Sequence, residues 1–212
     1  MMNVVCFDIS KIDENYYQHL FSQASPDRRS RAERYPRRED KIRCVAADAL
    51  IRYAVGQMLK ISEFTVAQEA DGKPYIVGRA DFHFNLSHSG SWVVIAYGGS
   101  PVGVDVQQIR VSAEAENLAR RFFTPEEQAF IFDADGDWEN RFFQIWTAKE
   151  SYLKYLGTGL RKPLNSFSMV PEGAHLGIRL NTTFLPGHCM TVCTQDAHTV
   201  ISHLSVQELM NE

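Results

Sequence analysis

Two short stretches of the chain combine residue types that handle metal ions and phosphate. The first is Gly103-Val104-Asp105-Val106-Gln107. Side chains two apart on a β-strand share a face at about 6.6 Å spacing. The Asp105 carboxylate and the Gln107 amide oxygen could therefore share one hard cation such as Mg²⁺. A strand end in which Asp105 caps a turn or pairs with an arginine accounts for the same five residues. The second stretch is Trp146-Thr147-Ala148-Lys149-Glu150-Ser151-Tyr152-Leu153-Lys154. Trp146, Glu150 and Lys154 step by four, so they run along one side of a helix, drifting about 40° per step. Glutamate followed by lysine at that spacing is also the favoured order of an ordinary surface ion pair. The chemical alternative makes Glu150 a metal ligand or base and sets Lys154 to neutralise charge on a phosphate.

A third candidate is Phe84-Asn85-Leu86-Ser87-His88-Ser89-Gly90. Asn85 and Ser87 face away from the apolar side made by Phe84 and Leu86, and then meet a polar link over Ser87–Ser91. Small hydroxyls, a histidine and a glycine can cradle phosphate oxygens, although a plain hairpin turn with a surface histidine has the same composition. Ser–His hydrolase chemistry fits poorly, because there is no Gly-x-Ser-x-Gly elbow and adjacent strand residues point to opposite faces. Between Pro26 and Arg43 lie eight Lys/Arg against four Asp/Glu. Most of these are expected to be solvated. Arg43, next to core-facing Ile42, could border a cleft and offer its fork to a phosphate, and so could Lys73 in the Gly72-Lys73-Pro74 turn. His188, Cys189 and Cys193 suggest zinc, but the two cysteines would stand about 13 Å apart on a strand, too far for one tetrahedral ion. Glu127, three residues after Thr124, reads as half of a capping box.

These residues need regular elements to hold them. Asn3–Ile9 reads as a strand. Ser25 and Pro26 open a short basic helix ending near Pro36. Ile42, Val45, Ala46, Ala49 and Tyr53 recur at helical steps within 37–60. Strands are expected at Phe82–Leu86, Trp92–Tyr97 and Val102–Ile109, and a helix over Trp138–Leu156 with Gly157 as its terminator. From Phe167 to about Val206 the pattern alternates like β-strands. The 212 residues, 44% hydrophobic and 23% charged, suit one large globular domain or two small ones. No apolar run approaches the ~18 residues of a membrane span, and no basic leader precedes Asp8, so no secretory signal is expected. Net charge is −4, so the basic segment sits on an acidic remainder. That is a poor footprint for nucleic acid but adequate for a small polyanion. Four scattered cysteines fit reduced thiols in the cytoplasm.

In combination, the FNLSHSG, VGVDV and WTAKESYLK stretches resemble the surfactin-type family of 4′-phosphopantetheinyl transferases. That family's pattern is a Gly-x-Asp and, after a spacer that is forty residues here (106–145), a Trp/Phe-Ser/Thr-x-Lys-Glu-x-x-x-Lys stretch. The Gly-Lys-Pro turn, RRSRAERY and RFFTPEE match in order as well, so the resemblance covers about Asp27 to Ser168.

The resemblance implies an α+β pseudo-dimer: residues 1–101 form a half with coenzyme A-binding elements, and 102–212 a half with metal ligands and the catalytic helix. The active site would occupy the cleft between them. It implies Mg²⁺, with Mn²⁺ as a substitute, coenzyme A as donor, and a serine of an apo acyl or peptidyl carrier protein as acceptor. Asp105 and Glu150 would hold the metal against the diphosphate, and Lys154 would stabilise the leaving phosphate. Lys73, Ser87 and His88 would contact phosphates, with His88, Arg43, Arg28 and Arg31 about the 3′-phosphate and Lys149 also on the coenzyme's side. Where many members have Asp-x-Glu, this chain has Asp105-Val106-Gln107, so Gln107 is expected to ligate through oxygen with one negative charge fewer. A cytoplasmic monomer without nucleic-acid or membrane partners is the expectation. The alternative is a coenzyme A-binding module with weakened catalysis.

Overall fold

The computed structural model describes residues 1–110, 113–133, 136–170 and 176–210. The first half of the chain contains β1 (Met2–Asp8), α1 (Glu14–Gln23), α2 (Pro26–Arg34), α3 (Arg38–Leu59), β2 (Val66–Gln68), β3 (Pro74–Ile76), β4 (His83–Ser89) and β5 (Trp92–Gly98). The second contains β6 (Val102–Gln108), α4 (Ala113–Phe122), α5 (Pro125–Phe132), α6 (Trp138–Leu156), β7 (Arg179–Leu185), β8 (His188–Thr194), β9 (Thr199–Leu204) and α7 (Val206–Met210). Among the described residues no helix is long and apolar enough to cross a membrane.

Local chemistry explains where the helices begin and end. The Ser25 hydroxyl accepts from the Arg28 N–H and Pro26 takes the first helical position of α2, where a missing N–H costs nothing. Thr124 and Glu127 close a reciprocal capping box on α5. Gly157 ends α6 at φ 75°, a left-handed conformation that glycine adopts without a Cβ clash.

The two halves repeat one motif. In the first, Val4 of β1 pairs with Ala96 of β5, which pairs with Asn85 of β4. In the second, Val104 of β6 pairs with Val192 of β8, which pairs with Asn181 of β7. The three-stranded units β4-β5-β1 and β7-β8-β6 thus share both order and register. Each carries its long helix on the outer face: α3 covers Val5, Phe7, Val93 and Ile95, and α6 covers Cys189 and Cys193. Between the sheets, Val4, Cys6, Val94 and Ala96 meet Val104, Val106, Met190 and Val192 in a third core. The result is an α/β–β/α arrangement in which the sheets bury apolar side chains against the helices outside and against each other inside.

The symmetry breaks at the chain's end. β9 adds to β1 in parallel, Met2 opposite Thr199 through Phe7 opposite Leu204, and Val206 and Leu209 of α7 enter the first half's core. Residues 199–210 therefore complete the N-terminal sheet and core. β4 also runs further than its sequence pattern suggests. Ser87, His88 and Ser89 pair with Val94, Val93 and Trp92, so they are strand residues and the turn shrinks to Gly90-Ser91. Cys189 and Cys193 face the α6 core. By strand alternation His188 faces the opposite side of β8, so these three side chains do not converge.

Candidate active site

β6 is the edge of the second sheet and β4 the edge of the first, and the site lies where they meet under α6. Alternation sends Val102, Val104 and Val106 into the core between the sheets, which leaves Gly103, Asp105 and Gln107 facing α6. Glycine is required at 103 by packing: a Cβ there would collide with the Ser151 carbonyl oxygen and the Tyr155 nitrogen. Close approach at Gly103 brings the last turn of α6 over the strand, and Lys154 reaches down. Its ammonium donates to Asp105 Oδ1 (2.7 Å), Ser87 Oγ (3.0 Å) and the Val104 carbonyl (3.0 Å). Asp105 is 6% exposed, and its Oδ2 is buried without a hydrogen-bond partner.

One helical turn before Lys154, Glu150 is partly buried beside Asp105. Burial pushes its carboxyl above the ordinary glutamate value; the Asp105 charge pushes the same way, and Lys154 opposes both. His88 is held below the usual histidine value, first by burial and then by the positive charges of Arg43 and Lys154. Arg43 donates to the Gly90 carbonyl at 2.6 Å and pairs with Asp40 at 2.5 Å. Lys73 donates to the Tyr155 carbonyl at 2.9 Å near the C-terminus of α6, where a cation is favoured, and burial lowers its pKa. Lys154 thus contacts Asp105 directly, Arg43 stands beside His88 of β4, and Lys73 sits against the C-terminal end of α6. Ser89, Gly90, Gln107, Phe143 and Trp146 line an adjoining cleft of about 480 Å³.

Three of the residues anticipated as coenzyme ligands lie elsewhere. Lys149 is fully buried, because one residue along a helix turns the side chain about 100° from Glu150 into the core. Its ammonium donates to the Leu164 and Phe167 carbonyls, each at 2.7 Å, and pairs with Glu127 Oε1 at 2.8 Å. All three protons are occupied, so a direct phosphate contact by Lys149 is corrected to an internal tie. Glu127 does more than cap α5, since it also accepts from the Met169 N–H at 2.7 Å. Arg28 and Arg31 line a separate cleft of about 640 Å³ with Ser25, Asp48, Arg52 and Phe64. There Asp48 pairs with both Arg28 and Arg52. The structure brings neither Arg28 nor Arg31 to Lys154.

Two family models account for nearly all of the chain. The 4′-phosphopantetheinyl transferase N-terminal model matches residues 12–99, and the 4′-phosphopantetheinyl transferase superfamily model matches residues 101–198. The chain is 31% identical over 210 residues to the 4′-phosphopantetheinyl transferase Sfp of Bacillus subtilis strain 168, covering 91% of this chain and 92% of that one. It is 30% identical to the 4′-phosphopantetheinyl transferase psf-1 of Bacillus pumilus, covering 92% and 90%. The protein belongs to the 4′-phosphopantetheinyl transferase family. A further relative, the 4′-phosphopantetheinyl transferase HetI of Nostoc, is 32% identical over 70% of this chain and 66% of its own.

In this phosphopantetheinyl transferase, Asp105, Glu150 and Lys154 converge at the junction where β4 of the first matched stretch meets β6 and α6 of the second. The match ends at residue 198, just before β9 and α7 cross back to the first sheet. Asn85 and Ser89, read from the sequence as part of a polar phosphate-cradling stretch, instead use their side chains at this transferase's junction to accept from the Val104 and Gln108 N–H groups. Their signal is the alternation of short polar side chains at 85, 87 and 89 along an edge strand.

Proposed function

We propose that the protein moves the 4′-phosphopantetheine arm of coenzyme A to a serine hydroxyl of an apo acyl or peptidyl carrier protein, releasing adenosine 3′,5′-bisphosphate. The observation that carries this reading is the junction group: an ammonium bridging Asp105 and β4, beside a buried carboxylate oxygen with no partner. Asp105, Glu150 and Gln107 offer only oxygen ligands, and the burial and the Asp105 repulsion that raise the Glu150 carboxyl are what a divalent cation would offset. Among the described residues no three His, Cys, Asp or Glu side chains cluster, so the third oxygen of this set is an amide. The donor set fits Mg²⁺ or Mn²⁺, with two carboxylates and hence a weaker hold than three would give. When bound, such a cation supplies neutralisation of diphosphate charge and polarises a phosphoryl oxygen.

The chain's own residues do the rest. Glu150 accepts the proton of the incoming serine as its oxygen bonds to the phosphorus that carries pantetheine. The bond from that phosphorus to the bridging oxygen breaks, and Lys154 neutralises the negative charge that the departing bisphosphate gains. His88 and Arg43 receive the coenzyme's phosphates at one end of the junction and Lys73 at the other. Both walls come from one chain, in keeping with a monomer. The four cysteines are free, in keeping with a reducing cytoplasm.

His88 gives the reading a pH signature. In the free protein its pKa is depressed; a phosphate beside it raises that pKa, so binding takes up a proton. Coenzyme A affinity, measured by titration calorimetry in chelator, is expected to rise as pH falls through the complex's higher pKa and to level off below the free protein's lower one. His88→Gln flattens that dependence. Failure of the wild-type protein to bind coenzyme A at any pH contradicts the proposed donor.

A further inference from the structure

The sheets' two edges are joined by side chains of β4. Asn85 Oδ1, Ser87 Oγ and Ser89 Oγ accept from the N–H groups of Val104, Val106 and Gln108 at 2.9, 3.1 and 3.0 Å. Three rungs at two-residue spacing occupy the β6 edge, leaving no open row of donors there.

The middle rung differs from the others. The Ser87 hydroxyl also donates to Asp105 Oδ1 at 2.9 Å and accepts from the Lys154 ammonium at 3.0 Å. A serine hydroxyl has one donor and two acceptor positions, and all three are filled within the protein. It has nothing left to offer a phosphate unless one of these bonds breaks. The bonds also act unequally on Asp105. Oδ1 receives both the Ser87 hydroxyl and the Lys154 ammonium, which fixes the carboxylate's plane, while the buried Oδ2 receives nothing.

Resting on the transferase reading above, we propose that Ser87 is a positioning residue for Asp105 and not a ligand of the coenzyme's phosphates. It anchors Asp105 Oδ1 to the β4–β6 ladder so that Oδ2 is presented to the divalent cation. Partners that orient a metal's ligands typically carry about 10–100-fold in metal affinity.

The test compares Ser87→Ala and Ser87→Thr with wild type in three measurements: Mn²⁺ affinity, from free-ion electron paramagnetic resonance with the protein alone and with saturating coenzyme A; coenzyme A affinity in chelator; and the thermal midpoint in chelator. Ser87→Ala is expected to weaken Mn²⁺ binding about 10–100-fold, to leave chelator-phase coenzyme A affinity within about twofold, and to be rescued by Ser87→Thr, which keeps the hydroxyl. Loss of coenzyme A affinity in chelator with Mn²⁺ binding intact overturns the proposal and makes the hydroxyl a phosphate ligand. A lowered midpoint with both affinities reduced, and no rescue by threonine, overturns it in favour of a purely structural rung. Should wild type bind no coenzyme A at all, the donor reading fails, and Mn²⁺ titration of the protein alone still decides the role of Ser87.

Discussion

Replacing Glu150 with glutamine is expected to lower transfer by about 10²–10⁴-fold, the usual contribution of a positioned general base, without unfolding the protein. Glutamine keeps the shape and one oxygen but cannot take the serine proton or offer charge to a cation. The stability result should move the other way. Glu150 is a desolvated carboxylate whose pKa is raised by burial and then by repulsion from Asp105. Removing that charge relieves the repulsion, so the metal-free midpoint at neutral pH should hold or rise. Falling activity with a steady or rising midpoint separates a chemical role from a structural one. Undiminished turnover at saturating Mg²⁺ removes Glu150 from the mechanism.

The adjacent lysine should behave oppositely. Lys149→Met leaves Glu127 as an uncompensated charge in a fully buried site. Removing one partner of such a pair costs about 3–5 kcal/mol, which for a chain of this length lowers the thermal midpoint by roughly 6–20 °C. Burial presses the Lys149 pKa down while the Glu127 carboxylate presses it up; with a carboxylate and two carbonyls as acceptors, the ammonium form is retained. Glu127→Gln combined with Lys149→Met should recover much of the loss, since no lone charge then remains. A midpoint for Lys149→Met within about 2 °C of wild type, less than 1 kcal/mol, contradicts the internal tie.

The contrast between Glu150 and Lys149 shows what the sequence can and cannot disclose. Spacing by four placed Glu150 and Lys154 on one side of a long helix, and alternation placed Asp105 and Gln107 on one side of a strand; both periodicities survive into the structure because the elements are regular. Lys149 matches the family's pattern as well as Glu150 does, but its direction depends on which face of α6 meets the core. That is a tertiary fact. Ser87 was legible as a polar residue opening the link after the Phe82–Leu86 strand, while the filling of its hydroxyl depends on Val106, Asp105 and Lys154, all far away in sequence.

The fold divides similarly. α3 announced itself through apolar recurrence, and α6 through the Gly157 that ends it. α1 did not: of its ten residues only Leu20 is buried, so its apolar stripe is thin, and the Asp13 cap was its one local signal. The last strand's parallel pairing with β1 joins Met2 to Thr199, and no local pattern encodes a partner so distant. Arg28 and Arg31 belonged to a recognisable basic helix, yet their surroundings are tertiary: Arg28 pairs with Asp48 on α3 and Arg31 bonds to Tyr35.

The central claim is the transfer itself, and the most direct measurement is the intact mass of apo carrier proteins after incubation with this protein, coenzyme A and Mg²⁺, with and without chelator. The predicted result is a chelator-sensitive gain of one phosphopantetheine on the carrier, abolished by replacing its acceptor serine. No gain on any acyl or peptidyl carrier, from protein shown to bind coenzyme A, would contradict the account and leave a coenzyme-binding module in which the Gln107 site no longer supports transfer.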